Sequence, residues 1–420
     1  MALATPVGRS GVATIRISGK DAHLQLDKIF EGKSELKPAK MCFGKVVCKE
    51  FCDRVLAVKF FAPNSFTGEH VCEIHCHGSP VVYSGIIQEL LDNGCTMAER
   101  GEFTRRALLN GKLDLLQAEG VYDIVQADTV AQVVQSNMLL DGALSLKVNE
   151  LQAQLLSCLA GIEVALDYPE EDLELDTKQQ LRQKLSCLSE ETSLMLTDYQ
   201  QSRLIRDGVK VVLVGEPNVG KSSLFNALLG FERAIVDSIA GTTRDVIQDS
   251  YVYNAVKFVL SDVAGLREAI DNIEKQGVQR AKIQVQDADV LLCLDHHFES
   301  DDRAVLIDNK ADLDTTKLHD NRLPVSAMTG FNIDKLKLKV YNKIIHLPKN
   351  SVTINNLRQY NALRQAHDSI ELALRALHTT TLDCIAVDVR KAWESVRSLT
   401  GQAIVEEVLD TIFSQFCVGK

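Results

Sequence analysis

The spacing of apolar and polar residues changes character three times along the chain. Over the first 110 residues, short apolar runs alternate with turn signals. Val12–Ser18, Met41–Cys48 and Val55–Phe61 read as strands, and Pro80–Asn93 reads as a helix ending in the Asn93-Gly94 cap. From Asp114 the strand pattern stops. Long helices are expected over Asp114–Gly142, Leu144–Leu166 and Thr177–Arg206, broken at Tyr168-Pro169 because proline restricts the residue before it. Asn356 to Phe416 is helical again, with turns near His378–Asp383 and at Thr400-Gly401. Between the helical segments, strands and helices alternate. The expected fold class is multidomain, α/β plus all-α: a small α/β domain over 1–110, a helical domain over 111–206 plus 350–420, and an inserted P-loop, Ras-like domain over 207–349. The two helical segments are expected to pack as one bundle rather than two.

The middle domain opens on the most informative stretch. Apart from Lys210, residues 209–214 are apolar and mostly Val, as a strand buried on both faces should be. G-x-x-x-x-G-K-S follows, with Gly215, Gly220, Lys221 and Ser222 at the required spacing. The glycines let backbone N–H groups turn inward around phosphate oxygens. A helix over about Lys221–Leu229 aims its N-terminal partial positive charge at the same anion. Lys221 reaches the outer phosphates, and the Ser222 hydroxyl sits on Mg²⁺. The plain alternative is a glycine-rich turn with no ligand.

The motifs downstream argue against that alternative. In Gly241-Thr-Thr-Arg-Asp a threonine can close over the γ-phosphate and complete the Mg²⁺ shell; Thr243 is assigned, with Thr242 the nearest rival. Val259-Leu-Ser-Asp-Val-Ala-Gly ends in D-x-x-G, where Asp262 holds Mg²⁺ through water and the Gly265 N–H senses the γ-phosphate. Asn309-Lys310-Ala311-Asp312 gives N-K-x-D. The Asp312 carboxylate can accept two N–H bonds from guanine, and a site built that way rejects the base that leaves its polar groups unpaired. Ser326-Ala327 contacts the base oxygen through backbone. The expected GTP site is therefore Asn218, Val219, Gly220, Lys221, Ser222, Ser223, Thr242, Thr243, Asp262, Gly265, Asn309, Lys310, Asp312, Ser326 and Ala327, with Mg²⁺ on Ser222, Thr243 and Asp262. Leu266 stands where many such proteins carry a glutamine that orients the attacking water. Either hydrolysis is very slow or another group serves. Glu274, nine residues after Gly265, is the candidate; its plain alternative is an acid favoured by a helix N-terminus.

Composition narrows the picture. A chain of 420 residues, 45% hydrophobic and 25% charged, can build two to four domains with real cores. A net charge of −11 excludes nucleic-acid binding through bulk electrostatics, so any RNA contact needs a local patch or a partner. Eleven cysteines without a C-x-x-C pair suggest reduced thiols in a cytosol-like compartment. Cys72 and Cys76 come nearest to a ligand spacing. No apolar run approaches 18 residues, so no transmembrane helix is expected, and Met1-Ala-Leu-Ala-Thr-Pro is neither a secretory signal nor an Arg-rich transit peptide. His75, Cys76 and His77 suggest a metal, but a strand would turn Cys76 away from both histidines, which favours ordinary strand packing. The charge-dense run from Arg100 to Leu115 reads most simply as a solvated helix face.

Beyond the GTP motifs, the chain carries Gly8-Arg-Ser-Gly-Val, Ile15-Arg-Ile-Ser-Gly, Pro63-Asn-Ser-Phe-Thr-Gly-Glu, Arg100-Gly-Glu-Phe-Thr-Arg-Arg-Ala-Leu-Leu-Asn-Gly-Lys-Leu-Asp-Leu and a terminal Phe416-Cys-Val-Gly-Lys. Over its whole length it resembles the MnmE (TrmE) family of tRNA-modification GTPases. Era-like and EngA-like ribosome-assembly GTPases share the middle domain but lack the Gly101-Glu-Phe-Thr run and the terminal Cys-x-Gly-Lys. The resemblance implies an N-terminal domain that binds tetrahydrofolate and dimerises, with Arg16, Glu73, Lys112 and Lys420 matching the folate-contacting residues. Basic groups there can pair with a folate glutamate carboxylate. It also implies that two G domains meet across a homodimer. K⁺ replaces an arginine finger there, held by Asn218 and the loop of Asp237, Ile239 and Thr242, and Glu274 orients water. The family works with the FAD protein MnmG, as a heterotetramer, to modify C5 of the wobble uridine of certain tRNAs. The one-carbon unit comes from 5,10-methylene-tetrahydrofolate, and the 5-formyl form can occupy the site. Cys417 is either a chemical participant or a structural thiol. The implied location is bacterial cytoplasm, or an organelle matrix in a eukaryote, with no membrane partner.

Three departures from the family pattern stand out. The start leaves room for only a short first strand. Val263 replaces a threonine that contributes mainly backbone. Only 13 residues separate Asp295 from Asn309, and about five of them must form a strand, so the usual crossover helix is expected to be missing and replaced by an extended link. Two other readings remain alongside a K⁺-dependent, dimerisation-activated GTPase: a GTP-dependent assembly switch of the ribosomal type, and a folate-binding scaffold with an impaired G domain.

Overall fold

Alternation along the first strands decides what the N-terminal sheet buries. In the computed structural model, β1 (Ala2–Leu3), β2 (Ser10–Ser18), β3 (Phe30–Gly32), β4 (Cys42–Val47), β5 (Cys52–Phe60) and β6 (Val71–Gly78) form an antiparallel sheet in the order β1-β2-β6-β5-β4-β3. The structure describes the chain except residues 33–35, 169–170, 217, 231–247, 263–282, 296–300, 314–320, 345–353 and 403–405, and except the side chains of 171–176, 248 and 262. Ala13, Ile15 and Ile17 of β2 and Cys72, Ile74 and Cys76 of β6 point into a core closed by helices Ala22–Ile29 and Pro80–Asp92. Cys76 is thus buried on the face opposite His75 and His77, as the alternation requires. The same alternation puts Arg16 and Glu73, direct partners in the ladder, together on the other face. β1 has only two residues, in line with the short first strand expected.

This sheet belongs to a unit made of Met1–Tyr122, Leu139–Leu181 and Arg375–Lys420. Within it the helix Ala143–Asp167, from before the insertion, packs against Leu382–Leu399, from after it. Gln152 Nε2 donates to Thr400 Oγ1 at 3.3 Å near one end of that contact.

The second unit comprises Asp123–Met138 and Arg182–Leu374. Here too the early and late helical segments pack together: Tyr199 stacks on Tyr360 with ring centres 4.4 Å apart, and Ser189 donates to Glu371 at 2.5 Å. Its sheet contains β7 (Val209–Val214), β8 (Gln248–Tyr253), β9 (Val256–Asp262), β10 (Val290–Cys293), β11 (Ala304–Asp308) and β12 (Leu323–Pro324), in the order β12-β11-β10-β7-β9-β8. All neighbours are parallel except the β8–β9 hairpin. β7 is central and buried on both faces. Val209, Val211 and Leu213 join the core beneath helices Lys221–Leu229 and Ile333–Ile344, while Val212 packs with Leu291 and Cys293 on the other face. At about 1.5–3 kcal/mol for each large apolar side chain buried, these residues anchor the loop that follows. Of the link from β10 to β11, Leu294, Asp295 and Asp301–Arg303 are described and none of them is helical; the stretch 296–300, on which the expectation of a missing crossover helix turns, lies outside the described residues.

One helix expectation needs correction. Asp114–Gly142 is not continuous but forms Leu115–Gln126 and Val130–Leu140. The break is a capping box. Gln132 N–H donates to Thr129 Oγ1 at 3.2 Å, and Gln132 Oε1 accepts the N–H groups of Asp128 and Thr129 at 2.7 and 2.9 Å. No helix among the described residues is long and apolar enough to cross a membrane.

Candidate functional site

At the C-terminal end of β7, Gly215, Glu216 and Asn218–Gly220 lead into helix Lys221–Leu229. Open parallel sheets bind ligands at this end of their strands. Gly220 has φ +94°, and a Cβ there would lie 2.5 Å from Asn309 Nδ2, so both backbone and space demand glycine. Asn218 also takes a left-handed conformation, φ +64°. Lys221 is buried and donates from Nζ to the carbonyls of Gly215 at 2.7 Å and Glu216 at 2.6 Å. It therefore already lies across the loop. Ser222 and Ser223 are exposed in the first helical turn.

Asn309 joins three of the sequence motifs at one point. Its Nδ2 donates to the carbonyls of Val219 and Gly220, both at 3.3 Å, and its Oδ1 accepts the Ala327 N–H at 3.3 Å. Lys310, at φ +65°, donates from Nζ to the Asn218 carbonyl at 3.0 Å. Ser326 is fully buried; its Oγ accepts the Thr329 N–H at 3.2 Å, which shapes the loop that presents Ala327. Asp312 is exposed, two residues after Lys310. The motif pattern alone places Asn309 near the base and does not show its tie to the phosphate loop; the signal for that tie is the glycine at 220, whose missing side chain leaves room for it.

Asp262 closes β9, and its backbone pairs with Leu213 just before the phosphate loop. Its side chain lies outside the described residues, as do Asp237, Ile239, Thr242, Thr243, Val263, Gly265, Leu266 and Glu274. Among the described members of the metal sets, Ser222 offers an exposed hydroxyl at the helix N-terminus and Asn218 an exposed side chain on the loop. Both suit oxygen-seeking cations.

The candidate folate residues lie in the first unit. Arg16 Nε and Nη2 both reach Glu73 Oε1 at 2.9 Å, and Nη1 donates to the Gly419 carbonyl at 3.2 Å. The rings of Phe66 and Phe103 flank the guanidinium at 5.8 and 5.6 Å. Glu73 is held below the usual carboxylate range, chiefly by His75, whose Nε2 stands 3.5 Å from Glu73 Oε2, and further by Arg16, against the opposing effect of burial. Arg16 is committed to Glu73, so a folate carboxylate would need another cation. The terminal tail docks beside it. Gly101 N–H donates to the Cys417 carbonyl at 3.3 Å and Phe103 N–H to the Lys420 carbonyl at 3.2 Å. Gly419, φ +96°, is pressed so close that a Cβ would stand 2.5 Å from the Leu3 carbonyl oxygen. Lys420 is half-buried, and the Cys417 thiol is exposed. Lys112 is exposed with its stem against Gly68, two residues past Phe66. The charge-dense run from Arg100 is more than a solvated face. Arg105 pairs with Glu406 and Asp410 of helix Glu406–Phe413, each at 3.0 Å, and Arg106 pairs with Glu69 at 3.0 Å and with Glu102.

Two family models together span nearly the whole chain. One, described as the GTP-binding protein TrmE N-terminus, matches residues 1–112; the other, the MnmE helical domain, matches 115–417. The chain belongs to the MnmE family. Relatives named tRNA modification GTPase MnmE agree with it end to end. The protein from Chlorobaculum tepidum is 38% identical over 457 aligned residues, covering 100% of this chain and 97% of its own. That from Chlorobium luteolum is 38% identical over 458, covering 100% and 97%. The G domain of the T. maritima FeoB iron transporter matches over 32% of this chain and 98% of its own, at 25% identity and a TM-score of 0.23, a likeness too weak to carry an argument. As an MnmE-family chain it combines the N-terminal domain, the helical domain and the P-loop G domain.

Proposed function

We propose that this MnmE-family chain is a GTP-hydrolysing enzyme of tRNA modification that acts on C5 of the wobble uridine together with an FAD-dependent MnmG-type partner. The observation that carries the reading is the convergence on Asn309: one side chain ties the phosphate loop to the guanine motif and to the Ser326-Ala327 turn. In the proposed mechanism, backbone N–H groups of 218–222 at the helix N-terminus cradle the phosphates. Lys221 exchanges the Gly215 and Glu216 carbonyls for the outer phosphates, and Asp312 accepts from the guanine edge. Ser222, Thr243 and Asp262 would hold Mg²⁺, which neutralises charge on the phosphate oxygens. Asn218, Asp237, Ile239 and Thr242 would hold K⁺ when two G domains meet in a homodimer. Because Leu266 cannot orient water, Glu274 takes that role.

Arg16, Glu73, Lys112 and Lys420 would bind a tetrahydrofolate derivative that supplies the one-carbon unit. Phe66, packed on Arg16 and exposed on its other side, offers apolar surface to the ring system of that derivative. Cys417, whose thiol is exposed, would take part in the same chemistry. The domains run over 1–110, 111–206 plus 350–420, and 207–349, and the working location is the bacterial cytoplasm or an organelle matrix. Mass spectrometry of tRNA nucleosides from cells lacking the gene tests the function: loss of a C5-substituted wobble uridine is expected, and an unchanged nucleoside profile would reject it. The short link between β10 and β11 leaves one competing reading, a folate-binding scaffold with an impaired G domain, which predicts negligible GTP turnover.

A further inference from the structure

Parallel neighbours usually gain a packed helix from their crossover, and the short link between β10 and β11 carries none among its described residues. The C-terminal ends of β10 and β11 share one arginine. Arg322, just before β12, donates from Nε to Asp308 Oδ1 at 2.6 Å. Its Nη2 donates to the carbonyls of Cys293 at 2.9 Å and Ile307 at 2.8 Å, and its Nη1 to the Asp295 carbonyl at 3.1 Å. One planar fork therefore addresses the end of β10, the end of β11 and the start of the link between them. The Arg322 and Asp308 side chains are only 7% and 6% exposed. A lysine, with a single donor atom on a flexible stem, could not make this set of bonds.

Asp308 is covalently next to Asn309, and its carbonyl accepts the Val325 N–H at 2.8 Å. The pinned strand end thus carries both base-recognition segments, Asn309–Asp312 and Ser326-Ala327. We propose that Arg322 is a positioning residue for guanine recognition. By clamping the ends of β10 and β11 it sets where Asn309, Asp312 and Ala327 stand over the base. It does so without touching the nucleotide. The inference rests on the reading of this site as a GTP site and names what gives that site its base selectivity. The phosphates are held by a separate segment, 215–222, so loosening the clamp weakens base selection and spares phosphate binding.

Calorimetric titration of the full chain with GDP, IDP, ADP and pyrophosphate tests this. The variants are Arg322→Gln, Arg322→Lys and the paired Asp308→Leu with Arg322→Met. The paired variant removes both charges of the pair together and decides the matter if Arg322→Gln does not fold. In the paired variant the GDP-to-ADP and GDP-to-IDP affinity ratios are expected to fall about tenfold or more, while pyrophosphate affinity stays within about twofold; Arg322→Lys recovers part of the loss. Unchanged ratios in the paired variant would overturn the proposal. So would a proportional loss of GDP and pyrophosphate affinity with a lowered melting temperature, since that marks a role in stability alone. If the unaltered chain itself fails to prefer GDP to ADP, the guanine reading falls first and the proposal with it.

Discussion

The two candidate sites use the same parts in different places. Each has an arginine that pairs with a carboxylate and reaches backbone carbonyls, and each has a glycine forced by close approach. In the N-terminal unit, Arg16 and Glu73 lie on the face of an antiparallel sheet with 19% and 18% of their side chains exposed, and the glycine at 419 is met by backbone. In the nucleotide unit, Arg322 and Asp308 lie beneath the strand ends with 7% and 6% exposed, and the glycine at 220 is met by the Asn309 side chain. A pair on a sheet face can be part of a binding surface. A pair buried under strand ends acts on a ligand only through the loops above it. Position in the fold, more than residue type, separates the two roles.

The sharpest way to break this comparison is to remove each arginine. Arg322→Met should destabilise the nucleotide unit by about 3–5 kcal/mol, because it removes the guanidinium that pairs with the buried Asp308 carboxylate. Hydrogen exchange at the β11 amides reads it, and unchanged protection would count against the clamp. Lys221→Ala should lower GTP turnover about 10³-fold, and Glu274→Ala about 10²-fold with nucleotide affinity nearly intact, since the second removes only a transition-state contact. An unaltered rate would reject Glu274 as the water-orienting group. Arg16→Met should cost the N-terminal unit less, about 1.5–3 kcal/mol, because its partner keeps access to water. Denaturant unfolding followed by Trp393, the single tryptophan of the chain and part of that unit, measures this. A cost equal to that of Arg322→Met would erase the distinction.

The smallest expected effect is a pH dependence. Glu73 has a folded-state value below its ordinary 4.5, so its contribution to stability is present above that pH and is lost as pH falls through the lowered value. Glu73→Gln should flatten the Trp393-monitored stability profile below about pH 4.5 and leave its shape above that unchanged. A variant with the same acid profile as the unaltered chain would remove Glu73 from the account.

Much of this architecture was legible in the chain. Val209–Val214 and the glycines after it could be read because a doubly buried strand and a phosphate loop each impose a residue pattern that nothing else requires. The short link before Asn309 could be read by counting residues. The break at Thr129 was written in Thr129-x-x-Gln132 but was hidden inside a run of helical periodicity, which carries on across a cap. Arg322 could not be found from sequence. Its importance comes from carbonyls of residues 293, 295 and 307, which any side chains could provide and which meet it only in the folded sheet. The commitment of Arg16 to Glu73 was equally invisible until the β2–β6 register brought them opposite each other.

The most direct test of the whole account is the steady-state rate of GTP hydrolysis by the full chain in K⁺ against Na⁺ at equal ionic strength. The account predicts turnover that rises severalfold or more in K⁺ and collapses in Glu274→Ala. Equal, near-zero rates in both salts would contradict it and leave a folate-binding scaffold as the better description.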